Sequence, residues 1–283
     1  MIRPTKKLAE TVSVVLVTYQ SANVLAKAIA SVPDDVPVVV VDNASTDGSV
    51  GLAESCGAMV LRNNQNLGFG TACNRGAAET RSDYILFMNP DARLKPDTLE
   101  NLCEVAEAHP KTGAVGPVLV DKDGPVLPRK ETLLEARKPM LAQKIPDKPV
   151  TTGFLSGAAL MVRRSVFLAI GGFDERIFLY LEDDDLSLRI RRAGHSLMYI
   201  PEALVEHYQG HSTTGGPAIL RLRNRHMMIS TRYLSEKHGI EMDFVHMRRK
   251  AWRRLILALL IVDRTRVHTN IGRLQGLAAW PFA

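Results

Sequence analysis

The hydrophobic pattern of the chain changes period repeatedly over its first third. Residues 12–17, VSVVLV, form a β-branched run bounded by polar residues, the pattern of a strand buried on both faces, as in a parallel sheet. Residues 21–31 follow with Val24 and Ala28, and Leu25 and Ile29, at helical spacing. Then VPVVVVD (36–42) predicts a second buried strand, SVGLAESCGA a helix closed by Gly57, MVLRN a third strand, GTACNRGAAE a helix and YILFMNPD a fourth strand. This alternation predicts a doubly wound α/β sheet, which binds ligands at the carboxyl ends of its strands. The polar residues gather at those ends: Thr18 and Tyr19 after the first strand, Asp42 and Asn43 after the second, Asn66 and Gly68 after the third, Asn89 and Asp91 after the fourth.

Beyond Asp91, KPDTLENLCEVAEAHP predicts a helix starting near Asp97 or Thr98, and GAVGPVLVDKDGPVL a strand, a turn and a strand. Residues 125–149 carry Pro125, Pro128, Pro139, Pro146 and Pro149 among many charges, so a long surface excursion is expected there rather than a packed element. GFLSGAALMVRRSVFLAIGGFDE resumes with an apolar strand and a short helix ending at Gly171 and Gly172. Next come four consecutive acids, Glu182 to Asp185, opening an amphipathic helix with Leu186, Ile190 and Ala193 on its apolar face. A strand, SLMYIPEALVEH, leads to His207 and His211 and to a glycine-containing loop suited to closing over a substrate.

The composition is that of a folded protein. The chain has 283 residues, 46% of them hydrophobic and 23% charged. The apolar run at 12–17 is too short for a signal-peptide core or a membrane span. Cys56, Cys73 and Cys103 are widely spaced and lack a CxxC pair, which supports neither a disulfide framework nor a zinc site and fits a reducing cytosol. The net charge of +6 is uneven: residues 221–273 hold thirteen Lys and Arg against four acids, so the remainder is slightly acidic.

Each polar cluster admits a structural and a chemical reading. Asp42 in VVVVDNASTDGS suits an Asx turn with a helix cap, or a carboxylate accepting hydrogen bonds from a nucleotide's base or ribose. Asn66, Gly68 and Asn74 suit a loop and cap, or the binding of an anionic or polyhydroxylated ligand at a helix N-terminus. MNPDA is a turn, or supplies Asp91 as an oxygen ligand for Mg2+ or Mn2+. His207 is structural, or a ligand for the same metal. The acid row caps its helix, or does chemistry. No GxGxxG follows the first strand, which argues against a nicotinamide or flavin dehydrogenase.

In order along the chain, VVLVTYQ, VVVVDNASTDGS, NLGFGTACNRG, MNPDA, GFLSGAALMVRR, GGFDERIFLYLEDDDLSLRIRRAG and EH resemble the family 2 glycosyltransferases of GT-A fold. The resemblance is strongest to the bacterial rhamnosyltransferase-like branch that builds cell-surface polysaccharides, and it covers about residues 12–213. It implies a GT-A domain over 1–215, with a nucleotide-sugar half to about 120 and an acceptor half after it, followed by a basic helical extension over 216–283. It implies an inverting, metal-dependent transfer of a sugar, rhamnose favoured, from a dTDP- or UDP-linked donor to a hydroxyl of a glycan or lipid-linked acceptor. Asp42 would bind the base beside Thr18 and Tyr19, with Asn43, Asn66, Gly68, Asn74 and Asn89 around the nucleotide sugar. The family's Asp-x-Asp reads Asn89-Pro90-Asp91 here, leaving Asp91 and His207 as metal ligands. Asp183 would be the general base, Glu182 would lie near the acceptor, Asp185 would orient the helix or the acceptor, and Asp184 would be merely solvated.

The substitution of Asn for the first acid of that motif keeps open a catalytically silent nucleotide-sugar binding protein. A metal-dependent nuclease is disfavoured because no stacking aromatics accompany the basic stretch, and no nucleic-acid partner is expected. KAWRRLILALLIV (250–262) sets Trp252, Leu255, Ile256, Leu259 and Leu260 on one helical stripe behind five basic residues. Such a helix lies on an anionic membrane surface, or packs on the catalytic domain or in a homodimer. The expected location is the cytoplasm, with peripheral contact at the inner face of the plasma membrane.

Overall fold

The computed structural model describes residues 7–136, 139–207 and 216–279. The chain divides into two compact units, one formed by residues 1–175 with 182–212 and the other by 176–181 with 213–283.

In the first unit, β1 (Val12–Thr18), β2 (Val38–Asp42), β3 (Met59–Arg62) and β4 (Tyr84–Met88) lie in the order β3-β2-β1-β4, all parallel. β9 (Ala159–Arg163) runs antiparallel to β4 and to β6 (Thr112–Asp121), and β10 (Ser196–His207) then runs parallel to β6. Short β5 (Ala92–Leu94), β7 (Gly124–Pro125) and β8 (Val150–Thr152) pair antiparallel along this second half. No hydrophobic run announces β5 or β8, because each is three residues long and completed by its neighbour.

Alternation along the strands gives each face its own core. Val12, Val14 and Leu16 of β1 pack beneath Leu25, Ala28 and Ile29 of α2 (Ala22–Ile29) and Leu99 and Leu102 of α5 (Thr98–Ala108). Val15 and Val17 face Ala72, Cys73 and Ala77 of α4 (Phe69–Ala78), Phe167 of α6 (Arg164–Ala169), and Leu186 and Ile190 of α7 (Glu182–Arg192). Helix α4 sits so close to the sheet that a Cβ at Gly76 would lie 2.5 Å from Val15 Cγ1. Gly76→Val is therefore expected to lower the unfolding free energy by about 3 kcal/mol through overpacking, as read by urea denaturation.

Residues 125–149 follow the expected surface excursion except around 129–134. Thr132 and Leu134 are buried, and Arg129 reaches inward over the Phe154 ring. The prolines and charges hide this because the burial is made by single residues rather than by a periodic run.

The second unit is helical, with α8 (Pro217–His238), α9 (Phe244–Leu260) and α10 (Arg264–Ala278). Glycines 272 and 276 let α10 approach the α8 backbone at Arg221 and Arg225. The segment 176–181 joins this unit through Ser230, whose hydroxyl donates to the Leu179 carbonyl at 3.0 Å. The single stripe expected on α9 splits: Leu255 is buried with Ala251 and Ala258, whereas Trp252, Ile256, Leu259 and Leu260 are at least half exposed. No helix among the described residues is long and apolar enough to cross a membrane.

Candidate active site

Parallel pairing of β1 and β2 sets Thr18 beside Asp42. Both side chains are buried where the strands end. One Asp42 oxygen accepts the Ser45 N–H at 3.0 Å. Its other oxygen and the Thr18 hydroxyl have no hydrogen-bond partner among the described residues. A buried polar atom left unpaired costs about 1–3 kcal/mol, which makes this pair a candidate for contact with a ligand's polar groups. The flanking loops are fixed in left-handed backbone at Gln20 (φ 54°) and Ala44 (φ 63°), a strain typical of binding sites. Tyr19, next to Thr18, is 43% exposed.

The remaining polar residues of these loops serve the fold. Asp47 accepts the Ala22 N–H at 2.9 Å and the Ser49 N–H at 3.1 Å. Burial opposes its charge, but hydrogen bonds from Ser49 and Ala22 outweigh that and hold the carboxyl below its usual value. Asn43 donates to the Gly68 carbonyl at 3.1 Å and accepts from Asn63 at 2.6 Å. Asn66 accepts the Gly68 N–H at 3.0 Å, while Gly68 adopts φ 86° and ψ 173°, a region essentially restricted to glycine. Asn74 accepts the Phe173 N–H at 2.8 Å and donates to the Phe173 carbonyl at 2.9 Å. Asn43 and Asn74 thus use their amides inside the protein rather than presenting them to a ligand.

At the end of β4, the antiparallel pairing of β5 with β10 places His207 opposite Ala92. Its Nε2 lies 3.3 Å from Asp91 Oδ1 and 3.3 Å from Asn89 Nδ2. Asp91 and His207 are largely buried, with side chains 4% and 12% exposed. Among the described residues no three His, Cys, Asp or Glu side chains form a metal-binding group. A carboxylate with an imidazole still fits Mg2+ or Mn2+ in a nucleotide site, because such ions take one or two protein carboxylates and fill their remaining positions with phosphate and water. His211 and Gly210 of the expected loop lie outside the described residues.

Helix α7 begins directly after two left-handed residues, Tyr180 (φ 70°) and Leu181 (φ 68°), and its four acids have four different surroundings. Glu182 is half-buried, and its charge, after burial itself, pushes the Cys73 thiol far up. Asp183 accepts the Gly157 N–H at 3.0 Å and the Asp184 N–H at 2.9 Å. Burial raises its carboxyl above the usual range. Asp184, expected in solvent, is 2% exposed and bonded to Arg129 and the Leu133 N–H. Asp185 is fully buried and paired with Arg189 at 2.7 Å. It has no face open to an acceptor, and Arg189 turns inward to bond the Ile170 carbonyl as well.

The cluster of Asn89, Asp91 and His207 and the acid row meet at one turn. Ala158 accepts the Asn89 N–H at 3.0 Å, and its neighbour Gly157 donates to Asp183. Two adjacent residues therefore link the end of β4 to the start of α7. The small residues of FLSGAA were the only sequence signal for this turn, and nothing in the sequence pointed to Arg129 or Leu133.

A family model described as glycosyl transferase family 2 matches residues 13–171. The chain belongs to that family. Over 246 residues the transferase is 34% identical to N-acetylglucosaminyl-diphospho-decaprenol L-rhamnosyltransferase of Mycobacterium tuberculosis, covering 75% of this chain and 80% of the relative. It is 29% identical over 171 residues to rhamnosyltransferase WbbL of Escherichia coli, covering 55% of this chain and 62% of that one. Among solved structures, GalNAc-T7 with UDP, GalNAc and Mn2+ superposes with a TM-score of 0.63 at 15% identity, over 97% of this chain and 57% of that one. The mannosyltransferase PcManGT of Pyrobaculum calidifontis, in complex with GDP-Man and Mn2+, gives 0.56 at 16% identity, over 95% and 85%. The enzyme thus has the GT-A fold and is a glycosyltransferase with rhamnosyltransferase relatives.

Proposed function

We propose that the enzyme moves a sugar, rhamnose in the favoured reading, from a dTDP- or UDP-linked donor to a hydroxyl of a glycan or lipid-linked acceptor, with inversion, in cell-surface polysaccharide synthesis. The observation that carries the reading is the turn at Gly157 and Ala158, which joins Asp183 to the Asn89, Asp91 and His207 cluster. The name of the mycobacterial relative, a rhamnosyltransferase with a diphospho-decaprenol acceptor, supports the choice of sugar and of a lipid-linked acceptor.

Asp42 and Thr18 accept and donate hydrogen bonds to the nucleotide at the unpaired oxygens, with Tyr19 beside them. Gly68 shapes the loop that enters α4. Asp91 and His207, with Asn89, would hold a divalent cation, which when bound supplies Lewis-acid stabilisation to the departing diphosphate. Asp183 takes the proton of the attacking hydroxyl, and Glu182 stands on the acceptor side. A base on the face opposite the leaving group gives inversion.

The test is a screen of dTDP-, UDP- and GDP-sugars by thermal shift and turnover, with Mg2+, Mn2+ or EDTA. A dTDP- or UDP-sugar is expected to raise the melting temperature in the presence of metal and to be turned over. Stabilisation without turnover would favour the silent binding protein, and no response to any donor would overturn the proposal. Asp42→Ala is expected to weaken donor binding by about 10- to 100-fold, since a hydrogen bond to a charged group contributes about 1.5–3 kcal/mol, as measured by calorimetric titration.

The basic extension adds a partner. Ile256, Leu257, Leu259, Leu260, Ile261 and Val262 are 53–78% exposed at the end of α9 and in the turn after it. Arg253 and Arg254 lie on one side of this apolar tip and Arg264 and Arg266 on the other in sequence. An apolar tip among arginines suits an anionic lipid surface, the place where a lipid-linked acceptor resides.

A further inference from the structure

The segment between β7 and β8 grips α7 at both ends. Arg129 lies over the Phe154 ring, 3.3 Å from its centroid, and donates from Nη2 to Asp184 Oδ2 at 3.1 Å. The Leu133 N–H donates to the other Asp184 oxygen at 2.6 Å. Further along α7, Arg191 donates to both oxygens of Glu135 at 2.8 Å each and to the Gly153 carbonyl at 3.2 Å. The Thr152 hydroxyl donates to the Arg129 carbonyl at 2.8 Å, and Gly153 passes so close to the Lys130 carbonyl that any Cβ would collide with it.

We infer that Arg129 is a positioning residue for sugar transfer: its bond to Asp184 holds that side chain against its own segment, and its positive charge offsets the repulsion between Asp184 and Asp183, one residue earlier, so that Asp183 stays charged and aimed as the base. The inference rests on the reading of Asp183 given above. Two adjacent carboxylates in a partly buried turn compete for one proton, because each disfavours the charge of the other. The groups facing them are Glu182, the Asp185–Arg189 pair and Arg191 on α7, Glu135 on the segment, the Cys73 thiol of α4 near Glu182, and the Gly157 backbone. Arg189 and Arg191 are each paired with another acid. Arg129 is thus the one cation with a hydrogen bond to either Asp183 or Asp184 among the described residues. Burial, and then the charge of Asp183, push Asp184 up to about 7, and Arg129 works against this. Its charge also favours the ionised form of Asp183, against burial.

Three variants test the idea: Arg129→Met, Arg129→Lys and the double variant Arg129→Met/Asp184→Asn. With dTDP-L-rhamnose and Mn2+ as the probe, the ratio of kcat/KM at pH 6 to that at pH 8.5 is expected to fall about 10-fold in Arg129→Met, the effect of losing a nearby opposite charge. Arg129→Lys and the double variant should recover most of that ratio. Thermal melts provide a readout that needs no substrate. A carboxyl whose folded pKa lies above its unfolded value loses stability as pH rises between the two, so losing the compensating arginine should cost more at pH 8 than at pH 5. Asp184→Asn should remove that difference. An equal cost at both pH values, or an unchanged pH ratio, would overturn the role of Arg129 while Asp183→Asn remained inactive. Full activity of Asp183→Asn would instead remove the base, and the inference with it.

Discussion

Asp183→Asn is expected to lower sugar transfer by about 10²- to 10⁴-fold, the usual contribution of a positioned general base, while donor binding stays within a few-fold of the wild type. The carboxylate accepts the Gly157 N–H, and the neighbouring Ala158 carbonyl accepts the Asn89 N–H. The nucleotide contacts at Thr18 and Asp42 belong to other strand ends. Burial raises the Asp183 carboxyl above the usual carboxylate value, which makes the ionised group a stronger proton acceptor. An amide of the same shape keeps one acceptor for the two N–H groups but cannot take the proton. Transfer assays paired with calorimetric donor titrations separate the two effects. A variant that transfers sugar at close to the wild-type rate would exclude Asp183 as the base.

The second large effect is expected at the apolar tip. Leu260 and Val262 are 75% and 78% exposed, and fully burying an aliphatic side chain of this size contributes about 1.5–3 kcal/mol. The double variant Leu260→Glu/Val262→Glu is therefore expected to weaken binding to phosphatidylglycerol-rich vesicles by at least about 10²-fold. Its melting temperature should hold, because neither side chain belongs to the buried set of Ala251, Leu255 and Ala258. Point variants suit this test better than deletion of the tail, since α10 packs on α8 and α9. Each Lys or Arg near an anionic membrane contributes about 1 kcal/mol, so raising the salt concentration should weaken wild-type binding as well. Co-sedimentation with vesicles measures both. Unchanged binding in the variant would refute the membrane role. A sedimentation mass that falls from dimer to monomer in the same variant would assign the tip to a second copy of the chain.

Much of this protein was legible from residue order. Continuous β-branched runs marked the parallel strands and helical spacing marked α2, because burial on both faces of a sheet or along a helix stripe imposes those patterns directly. The polar strand ends were legible for the same reason: the direction of each strand fixes which end faces the ligand. The resemblance of seven ordered motifs named the family that the family model then matched.

What the sequence could not rank was the use of each polar side chain. Asp42 and Asp47 sit five residues apart in one motif, yet Asp42 keeps a buried oxygen unpaired while Asp47 binds two backbone N–H groups. Asp183, Asp184 and Asp185 are consecutive, but helical geometry turns each by about 100° from the last, toward Gly157, Arg129 and Arg189 in turn. Chain order alone determined the four parallel strands β1 to β4, through hydrophobic runs and strand direction, and the enzyme family, through the resemblance of its ordered motifs. Only the tertiary structure decided which acids are bonded within the protein and which remain available for chemistry. Those partners come from distant segments such as 129–135 and 156–158, and their approach is set by packing rather than by spacing along the chain.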